Sequence, residues 1–571
     1  MQYRLAIVED NATARASLRS HILPTGLFEV SSFGSGAELK AALRTQHFEV
    51  ILLDFHLGTG KNGVAWVQEL RQSRFIKPST GIIFITSDRL PQTIGQIIDV
   101  HPDLLIIKPY SIGTLTRQLE HYMTYRGFVS NVLASLDKGD TKHALSQLAR
   151  LAQENVPRRL QSDVTKLQAR LLYEDRQFLR AQQLYEAVLT QSDQVLWAQW
   201  GRIKCQYAAG NYGACSEQLS ALLNVNLAKD QAFEWLACLC YEQEAYSQAE
   251  HYLDNIKPSD LSVPATRLKT LTYHKQNRVL EGIELLQKKR AMNRSAKEAF
   301  NDFTFTLAEF YLQLAEESPE TNRQESLSQA RKLVGIAGRS QHDIQLTQKR
   351  DYLLAFAAVL DGDNKKAALM LDNDSMNAVT RAETPTLLVA AKVNGALGRK
   401  EKARLLMEMA TQRNATIEDL SEQTVNAGEI LASEQKLGLA GDKAFELNDK
   451  GTQWFLKRRF AEAMPFFYDA HRLLPAIGAF TLNLLQCMVE SQTVQYKRYT
   501  IRKLLAELES TQMNPTNRSR LTQLRKQADD ATDTLLPPDP ILTPAEEISA
   551  EDASAETVEP VTVSGSSSPS S

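Results

Sequence analysis

A chain of 571 residues exceeds one ordinary domain; at about 150 residues per domain it accommodates about three to four units, or fewer with a repeat array. Its 43% hydrophobic and 23% charged residues are ordinary for a soluble protein, and a formal net charge of −3 supplies no basic field for nucleic acid. Five cysteines (Cys205, Cys215, Cys238, Cys240 and Cys487) are too few, and odd in number, for a disulfide framework, and no run of about 18 apolar residues predicts a membrane span.

Cys238 and Cys240 lie in an apolar helical stretch, where a free thiol packs as a small hydrophobe rather than a metal ligand. The Lys288-Lys289-Arg290 and Lys457-Arg458-Arg459 runs are short enough to be solvated helix faces. The chain enters a strand within three residues, which leaves no room for a secretory leader, so the expected compartment is the cytoplasm.

The first 126 residues alternate strand and helix. Tyr3 to Val8 reads as a strand, Asn11 to Leu23 as a helix, Phe28 to Phe33 as a strand and Ser35 to Gln46 as a helix. The third strand is the apolar run Glu49-Val50-Ile51-Leu52-Leu53-Asp54, which ends in a carboxylate. A helix over 62–71, a strand over Gly81 to Thr86, a weaker helix from Pro91 to Val100, a strand from Leu104 to Lys108 and a helix from Ser111 to Tyr125 complete the pattern. Five such βα units predict a parallel sheet covered on both faces, with right-handed crossovers.

Polar residues stand at the ends of these strands. Glu9 and Asp10 follow the first, Asp54 ends the third, Thr86 the fourth and Lys108 the fifth. In a doubly wound sheet such ends converge on one rim, where open α/β folds bind ligands. Three carboxylates there repel one another and favour a divalent cation, and all-oxygen ligation suits Mg²⁺. A carboxylate nucleophile, a lysine, a hydroxyl and a metal are together the inventory of phosphoryl transfer.

Val8-Glu9-Asp10-Asn11, Leu53-Asp54-Phe55-His56-Leu57, Ile85-Thr86-Ser87 and Lys108-Pro109-Tyr110 resemble the receiver domain of bacterial response regulators. The resemblance covers about residues 1–126 and implies a flavodoxin-like five-stranded sheet. It implies that Asp54 accepts a phosphoryl group from a histidine kinase or phosphotransfer protein. Glu9, Asp10, Asp54 and the backbone carbonyl of His56 would hold Mg²⁺; Thr86 would hydrogen-bond the phosphoryl group and Lys108 would pair with it. It also implies a cis Lys108–Pro109 bond, and positions at His56 and Asp88 that tune the phosphoaspartate lifetime. Three features depart from the family pattern. Leu105 stands where an aromatic is common, the loop Gly58-Thr59-Gly60-Lys61-Asn62-Gly63 lacks the usual proline, and that loop is one residue longer.

From Phe128 on, strand patterns give way to helical periodicity. Phe178, Tyr212 and Tyr246 recur 34 residues apart in similar hexapeptides, the tetratricopeptide period of two helices per unit. Leu447, Gly451, Trp454, Phe460, Ala463, Phe467, Ala470 and Pro475 resemble that repeat's consensus residue by residue. Small residues at Gly451, Ala463 and Ala470 let helices approach, and the aromatics fill the gap between them. Weaker units are expected at Leu133–Leu151, Ala265–Arg290, Tyr352–Leu371 and Thr386–Ala410. Long helices at 295–340 break the period there, around Ser318-Pro319-Glu320-Thr321, and divide the array in two if it divides. About eight to ten helical hairpins fit residues 127–533, with a capping helix from Asn517 to Thr532. Residues 534–571, rich in Pro, Ser, Thr and acids, are expected to be a disordered tail.

The expected chain is therefore an α/β receiver, an all-α tetratricopeptide-like solenoid and a tail. It has no enzyme motif, no DNA-reading helix and no membrane insertion, and its partners are a phosphodonor protein and an unidentified protein target of the array. Two other readings are a constitutive scaffold whose receiver is a docking module or phosphate sink, and a phosphoester hydrolase with Asp54 as nucleophile. The hydrolase lacks a second carboxylate two residues on, where His56 stands.

Overall fold

The computed structural model describes residues 2–58, 61–153, 156–337, 344–372, 379, 382–531 and 535–536. Thr59 and Gly60 of the glycine-rich loop, and the expected tail beyond 536, lie outside the described residues.

Strands β1 (Tyr3–Val8), β2 (Phe28–Phe33), β3 (Val50–Asp54), β4 (Gly81–Thr86) and β5 (Leu104–Ile107) form one parallel sheet in the order β2-β1-β3-β4-β5. Successive side chains serve opposite faces. Ala6, Ile51, Leu53 and Phe84 build one core layer, and Leu5, Ile7, Leu52 and Ile83 the other. Because both faces are covered, β3 and β4 are buried throughout, which explains their unbroken apolar sequences.

Helices α1 (Ala12–Ile22), α2 (Gly36–Ala42), α3 (Gly63–Gln72), α4 (Pro91–Asp99) and α5 (Ile112–Phe128) cover the sheet. Four of the five starts are fixed by caps: Asn11, Ser35, Asn62 and Ser111 each accept a hydrogen bond from a first-turn amide, worth about 1 kcal/mol apiece. Helix α2 ends at Ala42, four residues before the predicted Gln46. The Thr45 hydroxyl donates to the Ala42 carbonyl, as hydroxyl side chains do when they compete with the helix ladder.

A single residue, the fully buried Val129, separates α5 from α6 (Ser130–Asp137). Helix α6 pairs with α7 (Thr141–Gln153), α8 (Gln161–Glu174) with α9 (Phe178–Gln191), α10 (Leu196–Ala208) with α11 (Tyr212–Leu222), and α12 (Lys229–Glu242) with α13 (Tyr246–Asp254). The series continues with α14 (Val263–Lys275) and α15 (Val279–Met292), α16 (Lys297–Glu317) and α17 (Glu320–Ala337), α18 (Ile344–Leu360) and α19 (Asn364–Leu371), and α20 (Thr384–Ala396) and α21 (Lys400–Asn414). The aromatics of the 34-residue period, Phe178, Tyr212 and Tyr246, each open the second helix of a pair. Helices α16 and α17 are the long ones expected near 295–340, and one buried core runs through them without a break, from Trp200 to Ile430.

Helix α22 (Leu420–Lys436) has no partner of this kind. It lies against α12, α14 and α20, the first helices of their pairs, and so along the inner layer of the array. Arg267 of α14 donates to Asn426 at 3.2 Å and pairs with Glu429 at 2.6 Å, and the Ser421 hydroxyl donates to Glu234 of α12 at 2.6 Å.

Beyond it, α23 (Ala440–Leu456) and α24 (Phe460–Leu473) are the consensus unit. A Cβ on Gly451 would come within 2.8 Å of the Phe467 ring, so only glycine permits this approach. Helices α25 (Gly478–Glu490), α26 (Ile501–Glu509) and α27 (Pro515–Asp530) share a second core with α24. Contrary to the all-helical expectation, β6 (Gln495–Tyr496) and β7 (Tyr499–Thr500) form an antiparallel hairpin. Two-residue strands are too short to show a period of two. The hairpin reaches back to the turn between α10 and α11, where the Lys497 amide donates to the Gly210 carbonyl at 2.7 Å. Among the described residues no helix is long and apolar enough to cross a membrane.

Candidate functional site

Strand register delivers the site. Leu53 pairs with Val8, Asp54 lies beside Ile85, and Thr86 lies beside Ile107, so Glu9, Asp54, Thr86 and Lys108 all emerge at the same sheet edge. The Lys108 ammonium joins two of them, donating to Asp54 Oδ2 at 2.6 Å and to Glu9 Oε2 at 2.8 Å. Both carboxylates are almost fully buried, Asp54 at 6% and Glu9 at 3% exposure. Burial opposes the Lys108 charge, but the hydrogen bonds and charges of Asp54 and Glu9 outweigh it and hold its pKa above the ordinary value.

The remaining oxygens of the two acids are fixed from their own loops. Asp54 Oδ1 accepts from the His56 amide at 3.1 Å and Glu9 Oε1 from the Asn11 amide at 3.3 Å. Arg15 of α1 donates to the carbonyls of Glu9 at 2.5 Å and Asp10 at 3.3 Å, which sets the turn after β1. Asp10 is exposed, and a Cβ on Gly58 would lie 3.5 Å from its Oδ2, so the loop after β3 passes directly beside it. Gly58 has φ +78°, a conformation glycine adopts without strain. Lys108–Pro109 is cis.

Thr86 is fully buried, and its oxygen accepts from the Asp88 amide at 3.1 Å. The Asp88 carboxylate gathers three donors: the Leu90 amide at 2.8 Å, the Thr93 hydroxyl at 2.7 Å and His56 Nε2 at 3.1 Å. Burial would raise the Asp88 pKa, but these hydrogen bonds and the neighbouring His56 bring it below the ordinary value. Leu105 is half-buried and packs against the α3 side of the sheet.

Among the described residues no three His, Cys, Asp or Glu side chains form a ready-made metal cluster; Glu9 and Asp54 meet at Lys108, with Asp10 at the rim. The donor set nevertheless fits a hard divalent cation. Three carboxylates against one ammonium leave a formal charge of about −2 on oxygen ligands alone, the chemistry Mg²⁺ prefers. Arg15 and the Asp88–Thr93 contact were not evident in the sequence. Arg15 lies among other polar residues of α1, and the Thr93 partnership depends on how α4 is set against the loop after β4.

Residues 5–120 match the family model of the response regulator receiver domain. A curated relative, the TorCAD operon transcriptional regulatory protein TorR of Escherichia coli (strain K12), is 30% identical over 125 residues, which are 22% of this chain and 51% of the relative. The chain thus spans about half the length of that relative. Among solved structures, the chemotaxis response regulator CheY4 of Vibrio cholerae is 21% identical with a TM-score of 0.20, covering 21% of this chain and 99% of that one. The tetratricopeptide domain of P58(IPK) is 12% identical with a TM-score of 0.17, covering 64% of this chain and 97% of that one. With its sheet order, its strand-end residues and the family match in agreement, the N-terminal unit of this chain is a response regulator receiver domain of the two-component type, joined to a tetratricopeptide-like helical array.

Proposed function

We propose that this chain is a cytoplasmic response regulator whose Asp54 accepts a phosphoryl group from a histidine kinase or phosphotransfer protein, and whose helical array relays the phosphorylation state to a protein target. The observation that carries this reading is the Lys108 ammonium held between the buried carboxylates of Asp54 and Glu9, at 2.6 and 2.8 Å.

In the proposed reaction an Asp54 carboxylate oxygen forms a bond to phosphorus while the bond from phosphorus to the donor's histidine nitrogen breaks. The electron pair leaves with the nitrogen, which takes up a proton. Lys108, already bonded to Asp54, exchanges a carboxylate oxygen for a phosphoryl oxygen at little cost in reorganisation. The Thr86 oxygen is engaged by the Asp88 amide, so its proton is the part of the group available to the phosphoryl. Glu9, Asp10, Asp54 and the His56 carbonyl are the residues that would hold Mg²⁺, which when bound neutralises charge on the transferring group. Asp54 is a phosphoacceptor in this reading, and self-dephosphorylation is its only turnover.

The test is incubation of the full chain with acetyl phosphate and Mg²⁺, followed by intact mass. One phosphoryl adduct is expected on the wild type and none on Asp54→Asn. An unmodified wild type, with a well-studied receiver modified in parallel, would reject the reading.

A second reading is favoured by Leu105, which lacks the aromatic handle expected beside Thr86. In it the receiver is a docking module or phosphate sink and the array a constitutive scaffold. It predicts that target capture by the full chain is the same with and without beryllofluoride.

A further inference from the structure

The receiver does not stand apart from the array. Its α3 and α4 side touches array elements drawn from residues 166 to 422. Arg71 pairs with Glu418 at 3.1 Å, Gln72 donates to Glu422 at 2.9 Å, and Arg413 donates to the Gln72 carbonyl at 3.3 Å. On the other flank Lys204 lies 2.8 Å from His101, and Lys166 donates to the Pro102 carbonyl at 3.4 Å.

Two contacts involve the segments on either side of Asp54. After β3, the Lys61 ammonium pairs with Asp302 of α16 at 3.0 Å and with Glu69 of α3 at 3.0 Å, while the Lys61 amide donates to Glu298 at 3.0 Å. After β4, α4 is pressed on the chain between α11 and α12, so closely that a Cβ on Gly95 would fall 2.2 Å from the Leu227 carbonyl oxygen. Lys61 is largely buried; burial opposes its charge, and Asp302, Glu69 and Glu383 outweigh that cost and raise its pKa well above the ordinary value.

After β3 the chain is thus pinned twice. The Gly63 amide closes on the Phe55 carbonyl at 2.7 Å. Two residues before Gly63, Lys61 is fixed to α16. A phosphoryl group adds about two negative charges and three oxygens beside this loop, which must make room. A buried ion pair such as Lys61–Asp302 resists that movement, because separating it leaves an uncompensated charge.

Building on the reading of Asp54 as phosphoacceptor, we propose that the array restrains the receiver through a lock formed by Lys61 with Glu298 and Asp302, and that phosphorylation of Asp54 and release of this lock favour each other. Lys61 is then a positioning residue, and linkage requires the effect to be reciprocal: weakening the lock tightens binding of a phosphoryl mimic, and the mimic loosens the lock.

The experiment uses the full chain and measures affinity for beryllofluoride with Mg²⁺, together with amide hydrogen exchange over residues 297–305. Lys61→Met and the milder Asp302→Asn are expected to bind the mimic about five-fold or more tighter than wild type. In the wild type, saturation with the mimic is expected to speed exchange at the start of α16. Equal affinities across all variants, with wild type binding normally, overturn the lock and leave the phosphoacceptor intact. No binding of the mimic by wild type or variants overturns both.

Discussion

His56 Nε2 stands 3.1 Å from Asp88 Oδ2, so the residue two beyond Asp54 is bonded directly to the residue two beyond Thr86. The loops after β3 and β4 therefore share one carboxylate, which also receives the Leu90 amide and the Thr93 hydroxyl. Asp88→Ala strands both of those donors and should cost about 1–2 kcal/mol, read by chemical denaturation. Faster amide exchange should be confined to 88–95. An unchanged stability would mean that water replaces the carboxylate without loss.

Lys108→Gln removes the cation shared by two buried acids. The rate of Asp54 phosphorylation by acetyl phosphate should fall about a hundredfold, as when one preorganised donor to a developing anion is lost. A variant that accepts phosphate at the wild-type rate would remove Lys108 from the mechanism.

Glu422, beside Gln72 of the receiver, has its pKa pushed up to about 7, first by burial and then by Asp419 and Glu383. A carboxyl with a raised folded pKa binds protons better in the folded chain than in the unfolded one. Its stabilising contribution is present at low pH and is lost as pH rises from its ordinary value of 4.5 through about 7. Glu422 retains some solvent exposure, so the effect should be about 1 kcal/mol. The melting temperature of the wild type should drop across that window more than that of Glu422→Gln. Parallel curves would exclude Glu422 as the source.

Two glycine substitutions should have opposite signs. On Gly201 a Cβ would meet the buried Tyr185 ring at 2.2 Å, and Gly201→Ala should lose about 2–3 kcal/mol despite the better helix former. Gly428 of α22 has open space around its Cβ position, so Gly428→Ala should gain about 0.5–1 kcal/mol. Thermal unfolding of the two variants beside wild type decides both; a gain at Gly201 would mean that Tyr185 yields easily.

The receiver's strands were legible because each is an apolar run with polar punctuation, and all five matched to within a residue at either end. Asp54, Thr86 and Lys108 could be placed because a strand's end fixes the depth of its last residue. The Phe178, Tyr212 and Tyr246 series was legible because each repeat makes the same demand on its sequence. By contrast, α22 looks like any other helix in its own sequence, and its position along the inner layer is set by Arg267 and Glu234, more than 150 residues away. The Lys61–Asp302 pair was equally hidden, since nothing local to either residue names the other.

Val129 gives the joint between receiver and array an unusual character. One enclosed valine between two helices leaves no slack, so receiver and array meet as neighbours rather than through a linker. So short a joint keeps Arg71 and Gln72 at high effective concentration to Glu418 and Glu422, contacts that a longer linker would dilute.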